Sequence, residues 1–384
     1  MTNRSTPRFL VVAGEESGDM RAAPLLNAIK SDFPNASFFG IAGERCRTEG
    51  VDLIADISTL SVMGFVEVLY NLPRIKNTFD LVLRAAKERK PDAAILVDYP
   101  GFNLRLAAEL HKLGIKVFYY VSPQVWAWKA SRIKIIKKVV DRMLVLFPFE
   151  KELYARHNYQ ADFVGHPLID EVHASKNRET FLKELKLDPS TKVVGLLPGS
   201  RPKELHRHLP VMLKAAAIIR NEFPESQFLI LRAKNLPEAA FAEFIASSPT
   251  PVKVSTDYYN ALNACDVTMT ASGTATLETA LMEKPMVVIY QTAWLTSVIV
   301  RLLIKIPYIS LVNIVAGKKI VTELLQEKAS PENIASILLD YLRDNQKAKE
   351  ISREMQIIRG KLGESGASKR AARVIFEEMT KTRA

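Results

Sequence analysis

Short runs of apolar residues alternate with longer amphipathic stretches along most of the chain. Ten of these runs are brief, rich in β-branched and aromatic residues, and bounded by polar or turn-forming positions, a pattern that predicts buried strands. Strands that alternate with helical stretches are typical of a parallel sheet covered by helices on both faces, so the pattern predicts the α/β class. The predicted strands are 9–13, 37–39, 93–97, 116–120, 143–146, 192–197, 227–231, 252–254, 267–270 and 286–289.

The strand pattern stops near residue 167 and resumes after a charged stretch that runs from His173 to Leu187. A chain of 384 residues is long enough for two domains with separate cores. We therefore predict an N-terminal domain over 1–170 and a second domain over 171–345. Amphipathic, charged helices follow from Ser330 to the end of the chain and are broken at 363–366.

The stretch from Cys265 to Tyr290 carries the clearest candidate binding site. A short strand is followed by Ser272, Gly273 and Thr274, and then by a helix predicted over 275–282. This arrangement leaves backbone N–H groups unpaired at the helix start, where they can receive an anion. Glu278 lies about one turn into the helix and could accept sugar hydroxyls. The alternative is an ordinary βαβ unit with a solvated Glu278.

Three other strand ends carry candidate chemistry. The strand at 192–197 leads into Gly199, Ser200 and Arg201, which combine exposed N–H groups with a forked donor suited to phosphate. Asp98 follows the strand at 93–97, where open α/β sheets place their ligands. It could instead cap the next helix, a role that Asn103 would also fit. The first strand leads into a turn at 14–19, which lacks the dinucleotide-binding glycine pattern.

Composition narrows the function classes. Two cysteines cannot form a disulfide framework, and no apolar run approaches the ~20 residues that span a bilayer. The first apolar run is too short for a signal peptide, so a cytoplasmic location is expected. The net charge of +11 calls for an anionic partner. Because no aromatic-interleaved basic motif accompanies it, we expect anionic lipid or phosphorylated ligands and no nucleic acid.

A second apolar feature lies between residues 60 and 72, directly before Arg74 and Lys76. A helix facing the core is one interpretation, and a membrane-contacting element with basic neighbours is the other. Residues 294–306 form a similar stretch that is more typical of a buried helix. The residues predicted to meet membrane or acyl chains are Val62, Met63, Phe65, Val66, Val68, Leu69 and Leu72.

No metal ion or cofactor is expected from the sequence. The chain has no Asp-x-Asp, the usual metal clamp of nucleotide-sugar enzymes, and the six histidines offer only the pair His206 and His208 at close spacing. That pair is interpreted as a solvated helix start. A phosphorylated ligand would then be met by Arg201 and by the helix that begins near Thr274.

Taken together, the motifs resemble the lipid-A-disaccharide synthase family, in order and over almost the whole chain. The tryptophan loop and V-D-Y-P-G-F-N are the most specific of them, whereas A-S-G-T-A-T-L-E also suits other UDP-sugar enzymes. The matching segments are V-A-G-E-E-S-G-D (12–19), S-V-M-G-F-V-E-V-L (61–69), V-D-Y-P-G-F-N (97–103), Y-V-S-P-Q-V-W-A-W (120–128), L-F-P-F-E (146–150), F-V-G-H-P (163–167), L-L-P-G-S-R (196–201), A-S-G-T-A-T-L-E (271–278) and Y-I-S-L-V-N-I-V-A-G (308–317).

The resemblance implies two Rossmann-like domains facing each other across a cleft (the GT-B architecture), with C-terminal helices. Residues 346–384 would pack back on the first domain or on a partner subunit, so a homodimer is possible. The implied substrates are UDP-2,3-diacylglucosamine and 2,3-diacylglucosamine 1-phosphate, which give a β-1,6-linked disaccharide 1-phosphate and UDP by inversion. Such an enzyme would work at the anionic cytoplasmic face of the inner membrane.

The predicted site residues follow from the strand ends and this resemblance. Asp98 is the predicted general base, with Glu15 as the next candidate. Arg201 is expected on phosphate, and Glu278 or Asn313 on ribose or base. The full set predicted to bind the UDP-sugar is Gly14, Ser17, Gly199, Ser200, Arg201, Ser272, Gly273, Thr274, Glu278 and Asn313.

Two other functions are compatible with the motifs. One is a different UDP-sugar enzyme of the same architecture, such as a lipid-linked N-acetylglucosaminyl transferase or a non-hydride 2-epimerase. The other is a non-catalytic protein that binds the membrane surface.

Overall fold

The computed structural model describes residues 6–60, 72–127, 130–292 and 307–381. The chain divides into two compact units, each built around its own parallel sheet. The first unit comprises Met1–Pro167 together with Glu364–Ala384, and the second comprises Leu168–Gly363. The membrane-contacting residues predicted between 62 and 69, and the alternative stretch 294–306, lie outside the described residues.

The first sheet has seven parallel strands in the order β3-β2-β1-β4-β5-β6-β7. Its central strands are apolar on both faces because helices cover both sides. The five strands predicted in this half are confirmed, whereas β3 and β7 were missed because β3 is interrupted by polar residues and β7 has only three residues. The strands are β1 Arg8–Ala13, β2 Ser37–Ala42, β3 Val51–Asp56, β4 Ala93–Val97, β5 Lys116–Tyr120, β6 Arg142–Val145 and β7 Ala161–Phe163.

Among the described residues of the first unit, six helices precede residue 168. Three of them, α3, α4 and α5, lie side by side and contribute Val82, Phe102 and Ile136 to one core cluster with strand residues such as Leu10 and Leu96. The helices are α1 Glu16–Asp32, α2 Glu44–Thr48, α3 Leu72–Arg89, α4 Pro100–Lys112, α5 Arg132–Val139 and α6 Pro148–Arg156, with a 3-10 turn at Ile57–Thr59.

The second sheet has six parallel strands in the order β10-β9-β8-β11-β12-β13, with apolar clusters on both faces. The strands are β8 Val193–Leu197, β9 Gln227–Leu231, β10 Lys253–Ser255, β11 Val267–Ala271, β12 Met286–Tyr290 and β13 Thr322–Leu325. The helices are α7 Leu168–Glu171, α8 Arg178–Glu184, α9 Pro202–Glu222, α10 Ala239–Ala246, α11 Tyr258–Ala264, α12 Thr274–Leu281, α13 Leu311–Ala316, α14 Pro331–Arg343 and α15 Asn345–Lys361, with a 3-10 turn at Gln326–Lys328.

The last helix, α16 (Ala367–Lys381), belongs to the first unit. It packs on α1, where the Phe33 and Phe376 ring centroids are 5.0 Å apart. Its Glu378 carboxylate pairs with Lys116 at 3.3 Å and with Arg142 at 3.2 Å. The chain breaks between helices at 363–366, as the glycines there predict. Residues 346–384 were expected to pack back on the first domain or on a partner subunit; in the structure α16 belongs to the first unit, whereas α15 belongs to the second.

Each sheet has one place where the strand order reverses direction, and open α/β sheets bind their ligands beyond the carboxyl ends of the strands at such places. In the first sheet this place lies between β1 and β4, where Ala13 pairs with Val97. In the second sheet it lies between β8 and β11, where Leu197 pairs with Thr270. Each of the four strand ends singled out from the sequence therefore lies at a switch point.

Within the described ranges, no helix is both long enough and apolar enough to cross a membrane.

Candidate active site

The two strand ends at the first switch point are in direct contact. Gly14 follows β1, and a Cβ atom at this position would lie 2.6 Å from the Tyr99 ring. Only glycine therefore leaves room for the Tyr99 ring beside the β1 turn. The Tyr99 hydroxyl donates to the Leu60 carbonyl at 2.9 Å, which fixes the ring from its far end.

The turn after β4 holds two consecutive non-glycine residues in the left-handed region, with φ of 49° at Asp98 and 46° at Tyr99. Such residues are uncommon and persist only when their surroundings impose them. The Asp98 N–H donates to the Tyr120 carbonyl at 3.0 Å. The Asp98 carbonyl accepts from the Tyr119 hydroxyl at 2.5 Å and from Asn103 Nδ2 at 2.8 Å. Asp98 does not cap α4, because Tyr99 occupies the N-cap position.

The environment of the Asp98 carboxyl suits a proton acceptor. Burial raises the pKa of Asp98, while the nearby Arg21 guanidinium on α1 and the Tyr99 N–H act in the opposite direction. A carboxylate with a raised pKa is a stronger proton acceptor than an unperturbed one. The Asp98 carboxyl is thus half-buried near the positive charge of Arg21, at the edge of the sheet where a ligand is expected.

Glu15 and Ser17 lie beside this turn, at the start of α1. Glu15 occupies the N-cap position of α1 with its side chain exposed, and Ser17 is half-buried in the first turn. Burial raises the pKa of Tyr99, and the Glu15 charge raises it further, which places the Glu15 carboxylate near the Tyr99 ring. Glu15 therefore shares one edge of the sheet with Asp98.

An aromatic cluster continues the site along the ends of β5, β6 and β7. The Phe147 ring stacks on Phe149 at 5.3 Å and tilts against His166 at 5.2 Å, while Trp126 meets Phe149 edge-on at 5.6 Å. Glu150 is buried beneath these rings and accepts the Phe147 N–H at 3.2 Å.

Burial gives this cluster two titratable groups with strongly shifted pKa values. It raises the pKa of Glu150 to about 8, and the nearby Asp98 charge adds to that rise. It lowers the pKa of His166 to about 3, and Arg21 lowers it further. Perturbed groups beside a candidate base favour a functional site. Neither residue is a predicted site residue, although both fall in the family segments L-F-P-F-E (146–150) and F-V-G-H-P (163–167).

In the second unit, the loop after β8 already holds a carboxylate. The Ser200 and Arg201 N–H groups donate to Glu204 Oε2 at 3.1 and 3.3 Å, and the Arg201 guanidinium pairs with Oε1 at 3.0 Å. Gly199, with φ of 111°, leaves the space that this carboxylate fills. The anionic group that the loop holds in this structure is the protein's own Glu204 carboxylate, and phosphate binding by the loop stays a prediction.

At the end of β11, the helix start is open. Gly273 is the N-cap of α12, no side chain caps it, and the space where its Cβ would be is empty to 4 Å. Gly273 and Thr274 are both exposed. The Ser272 N–H was expected to be available to a ligand. In the structure it donates to the Ile289 carbonyl at 2.9 Å and so extends the sheet.

The two residues proposed for ribose or base have different environments. Glu278 is half-buried on α12 and accepts the Tyr259 hydroxyl at 3.1 Å. Asn313 is fully buried, and its side chain is saturated by partners within the unit. It accepts from Ile320 N and Val321 N and donates to the Val321 carbonyl and to Glu323, at 2.7 to 3.0 Å. The structure thus corrects the expectation for Asn313, which has no donor or acceptor left for a ligand.

His208 was also misjudged from the sequence. Its ring is 2% exposed and is not part of a solvated helix start. Its Nδ1 lies 2.9 Å from the Pro198 carbonyl, and its Nε2 is 3.2 Å from the Gln291 N–H. Only a neutral ring with the proton on Nδ1 satisfies both partners. His206, in contrast, is exposed and packs edge-on against Phe244.

Among the described residues, no group of three or more His, Cys, Asp or Glu side chains is arranged to hold a metal ion.

Two parallel sheets with candidate ligand loops at both switch points define the class: this is a two-domain α/β protein of the GT-B glycosyltransferase type. Solved structures with this fold include the UDP-GlcNAc 2-epimerase of Neisseria meningitidis bound to UDP-GlcNAc, with TM-score 0.61 and 12% identity, covering 97% of this chain and 100% of that one. The MurG structure of Acinetobacter baumannii has TM-score 0.56 and 15% identity over 98% and 99% of the two chains. At such identities the likeness shows the fold alone.

Sequence relatives identify the family. The profile of the lipid-A-disaccharide synthetase (LpxB) family matches residues 9–376. The lipid-A-disaccharide synthase of Geobacter sulfurreducens is 42% identical over 383 residues, 99% of this chain and 100% of that protein. The lipid-A-disaccharide synthase of Nitrosococcus oceani is 45% identical over 369 residues, 96% and 95% of the two chains. The chain belongs to the lipid-A-disaccharide synthase family.

Proposed function

We propose that the chain transfers the sugar of UDP-2,3-diacylglucosamine to 2,3-diacylglucosamine 1-phosphate, forming the β-1,6-linked lipid A disaccharide 1-phosphate and UDP. The observation that carries this proposal is the family match over residues 9–376, which includes every described candidate loop. The epimerase alternative rests on shared fold alone, at identities of 12 to 16%.

The transfer needs a base, and Asp98 is our assignment. The acceptor hydroxyl loses its proton to the Asp98 carboxylate as its oxygen attacks the anomeric carbon from the face opposite UDP. The bond between that carbon and the UDP oxygen breaks, and its electron pair leaves with UDP. The raised pKa and half-buried position of Asp98 support this role. Glu15, exposed on the same edge of the sheet, remains the second candidate.

The leaving diphosphate needs positive partners, which we assign to the second unit. The Arg201 guanidinium and the open start of α12 at Gly273 and Thr274 lie at the ends of β8 and β11, on either side of the switch point. Donors at such positions stabilise charge that develops on a leaving group. Because Glu204 occupies the Ser200 and Arg201 N–H groups, we propose that phosphate displaces this carboxylate when UDP-sugar binds.

We further propose that the enzyme works at the anionic inner-membrane surface, because both substrates carry acyl chains. Helices α3, α4 and α5 hold eleven Lys or Arg and three Asp or Glu, so this layer carries +8 of the net +11 of the protein. Four large apolar side chains on or next to these helices are at least 40% exposed: Leu72, Leu81, Leu113 and Ile135. Basic side chains together with exposed apolar side chains favour contact with an anionic bilayer.

The reaction is tested by incubating the purified protein with both acylated monosaccharides and measuring disaccharide and UDP. Parallel reactions contain unacylated UDP-N-acetylglucosamine as donor, or EDTA. Formation of the disaccharide only from the acylated donor, and equally in EDTA, supports the proposal. Turnover of the unacylated donor alone would indicate a different UDP-sugar enzyme, and lipid binding without any turnover would indicate the non-catalytic alternative.

A further inference from the structure

The Asp98–Tyr99 turn is held in place by more contacts than a surface turn needs. Two successive non-glycine residues adopt left-handed conformations at the carboxyl end of β4. Each such residue is disfavoured by contacts of its own Cβ, so the pair would relax to another conformation without external restraints. The restraints come from four different segments of the first unit: β1, the end of β5, α4 and the 3-10 turn that ends before Leu60.

The strongest restraints act on the Asp98 carbonyl. The Tyr119 hydroxyl donates to it at 2.5 Å, and Asn103 Nδ2 donates to it at 2.8 Å. Both side chains are fully buried. Asn103 Nδ2 also lies 3.2 Å from the Val97 carbonyl and 3.4 Å from the Val12 carbonyl, so one amide group ties the ends of β4 and β1 to the turn.

The Tyr99 side of the turn is restrained separately. The Phe102 and Asn103 N–H groups donate to the Tyr99 carbonyl at 3.2 and 3.0 Å. The ring enters the space left by Gly14, and its hydroxyl is bound to the Leu60 carbonyl. Strain that the surrounding structure maintains in this way is concentrated at functional sites, where it fixes the direction of a reacting side chain.

We propose that Tyr119, Asn103 and Tyr99 are positioning residues for the sugar transfer: they hold the strained turn that aims the Asp98 carboxylate at the acceptor hydroxyl. None of the three carries the proton itself. The inference rests on the proposed role of Asp98 as base. A general base displaced by about 1 Å can cost on the order of 10²-fold in rate, so small relaxations of this turn matter.

Removal of single hydroxyl groups tests the proposal. Tyr119→Phe and Tyr99→Phe each delete one hydrogen bond to the turn or its anchor. Tyr159→Phe is the matched control, because its hydroxyl also donates to a backbone carbonyl, that of Val140 at 2.9 Å, but at the amino edge of the sheet. All three variants should fold and bind UDP as the wild type does. We expect kcat to fall by at least about tenfold in Tyr119→Phe and Tyr99→Phe with KM little changed, and to stay within twofold in Tyr159→Phe.

Asp98→Asn, measured in parallel, separates this inference from the assignment of the base. If Asp98→Asn keeps wild-type turnover, Asp98 is not the base and the positioning proposal falls with it. If Asp98→Asn is inactive while both turn variants match Tyr159→Phe, the base assignment stands and the positioning proposal is overturned. Equal losses in all three tyrosine variants, in step with their unfolding temperatures, would indicate a general stability effect and overturn it as well. Loss of kcat confined to the turn variants at matched unfolding temperature supports it.

Discussion

The neutral imidazole of His208 joins two loops at the carboxyl edge of the second sheet, with Nδ1 2.9 Å from the Pro198 carbonyl and Nε2 3.2 Å from the Gln291 N–H. Pro198 begins the loop that leads to Arg201, and Gln291 follows β12. A single side chain on α9 thus fixes the loop proposed to meet the diphosphate. Burial lowers the pKa of His208, which keeps the ring neutral as both bonds require.

We predict that His208→Ala lowers the free energy of unfolding by about 2–4 kcal/mol, because it leaves a cavity and two unpaired backbone groups. UDP affinity should fall as well, since the Pro198 loop loses its anchor. His206→Ala is the control, because that exposed ring should change stability by less than about 0.5 kcal/mol. Denaturant titration and UDP calorimetry of both variants measure these effects, and equal behaviour of the two variants would contradict the role of His208.

Glu204 should compete with the diphosphate for Arg201 and the loop N–H groups. We expect Glu204→Gln to bind UDP several-fold more tightly, because a negative charge is removed from the phosphate site. Arg201→Ala should bind it at least about tenfold more weakly, a loss of about 1.4 kcal/mol. Arg220→Ala, at the far end of α9 with its guanidinium on the Ser226 carbonyl, serves as the control. Unchanged affinity in both Glu204→Gln and Arg201→Ala would place the diphosphate elsewhere.

Asn313 should matter for stability and not for the ligand. Asn313→Ala removes the partners of the half-buried Ile320 N–H, the buried Val321 N–H and Glu323, so the free energy of unfolding should fall by about 2–5 kcal/mol. UDP affinity, measured below the unfolding temperature, should stay within about twofold. A large loss of affinity with unchanged stability would restore Asn313 as a contact to ribose or base.

These residues show how far the sequence alone can lead. The sequence could predict that a ligand binds near certain strand ends, because parallel strands expose their carboxyl ends at a common edge of the sheet. These strand ends carry Asp98, Arg201 and Ser272–Thr274. The partners of those residues could not be predicted. The contact of Gly14 with Tyr99 joins segments 85 positions apart, and that of His208 with Gln291 joins segments 83 apart. Local pattern also cannot tell whether a polar residue such as Asn313 is saturated inside the fold.

Glu150 should make stability fall as the pH rises. Its pKa is raised from 4.5 to about 8 in the folded protein by burial, so between these values the folded state holds a proton that the unfolded state has released. Folding is therefore penalised progressively up to about pH 8, by about 1.4 kcal/mol for each unit of pKa shift. His166 acts in the opposite direction at the lower end of this window, because its pKa is about 3 in the folded protein while the unfolded ring, with a pKa near 6.5, still binds protons. This contribution is common to the wild type and to a variant at Glu150, so it cancels when the two proteins are compared.

Glu150→Gln replaces the titrating carboxyl group by a neutral amide. The free energy of unfolding should therefore depend less on pH in this variant. The measurement is the free energy of unfolding of both proteins by denaturant titration at several pH values from 6.5 to 8, at constant ionic strength. We expect the wild type to lose stability relative to Glu150→Gln across that window. Parallel curves would show that the Glu150 carboxyl is already ionised in the folded state.

The layer formed by α3, α4 and α5 should bind anionic membranes. On α5, Lys134, Ile135 and Lys138 are exposed, and the helix carries no acidic residue. Each basic residue near an anionic surface contributes about 1 kcal/mol, so reversing two of them should weaken binding by at least about 30-fold. We therefore expect Lys134→Glu with Lys138→Glu to lose flotation with vesicles that contain phosphatidylglycerol. Salt should weaken wild-type binding in the same way, because exposed charges are screened.

The control reverses two exposed basic residues on another helix, Lys349→Glu with Arg353→Glu on α15. It changes the net charge of the protein by the same amount, so a general electrostatic effect would weaken the vesicle binding of both double variants equally. Binding lost only in the α5 variant locates the contact on the first unit. Ile135→Ser, in which the basic residues are retained, should weaken binding by up to about 1.5–3 kcal/mol and leave the salt dependence of binding unchanged, because it removes apolar contact and no charge. Vesicle binding that survives the α5 reversal at low salt would exclude this layer as the membrane contact.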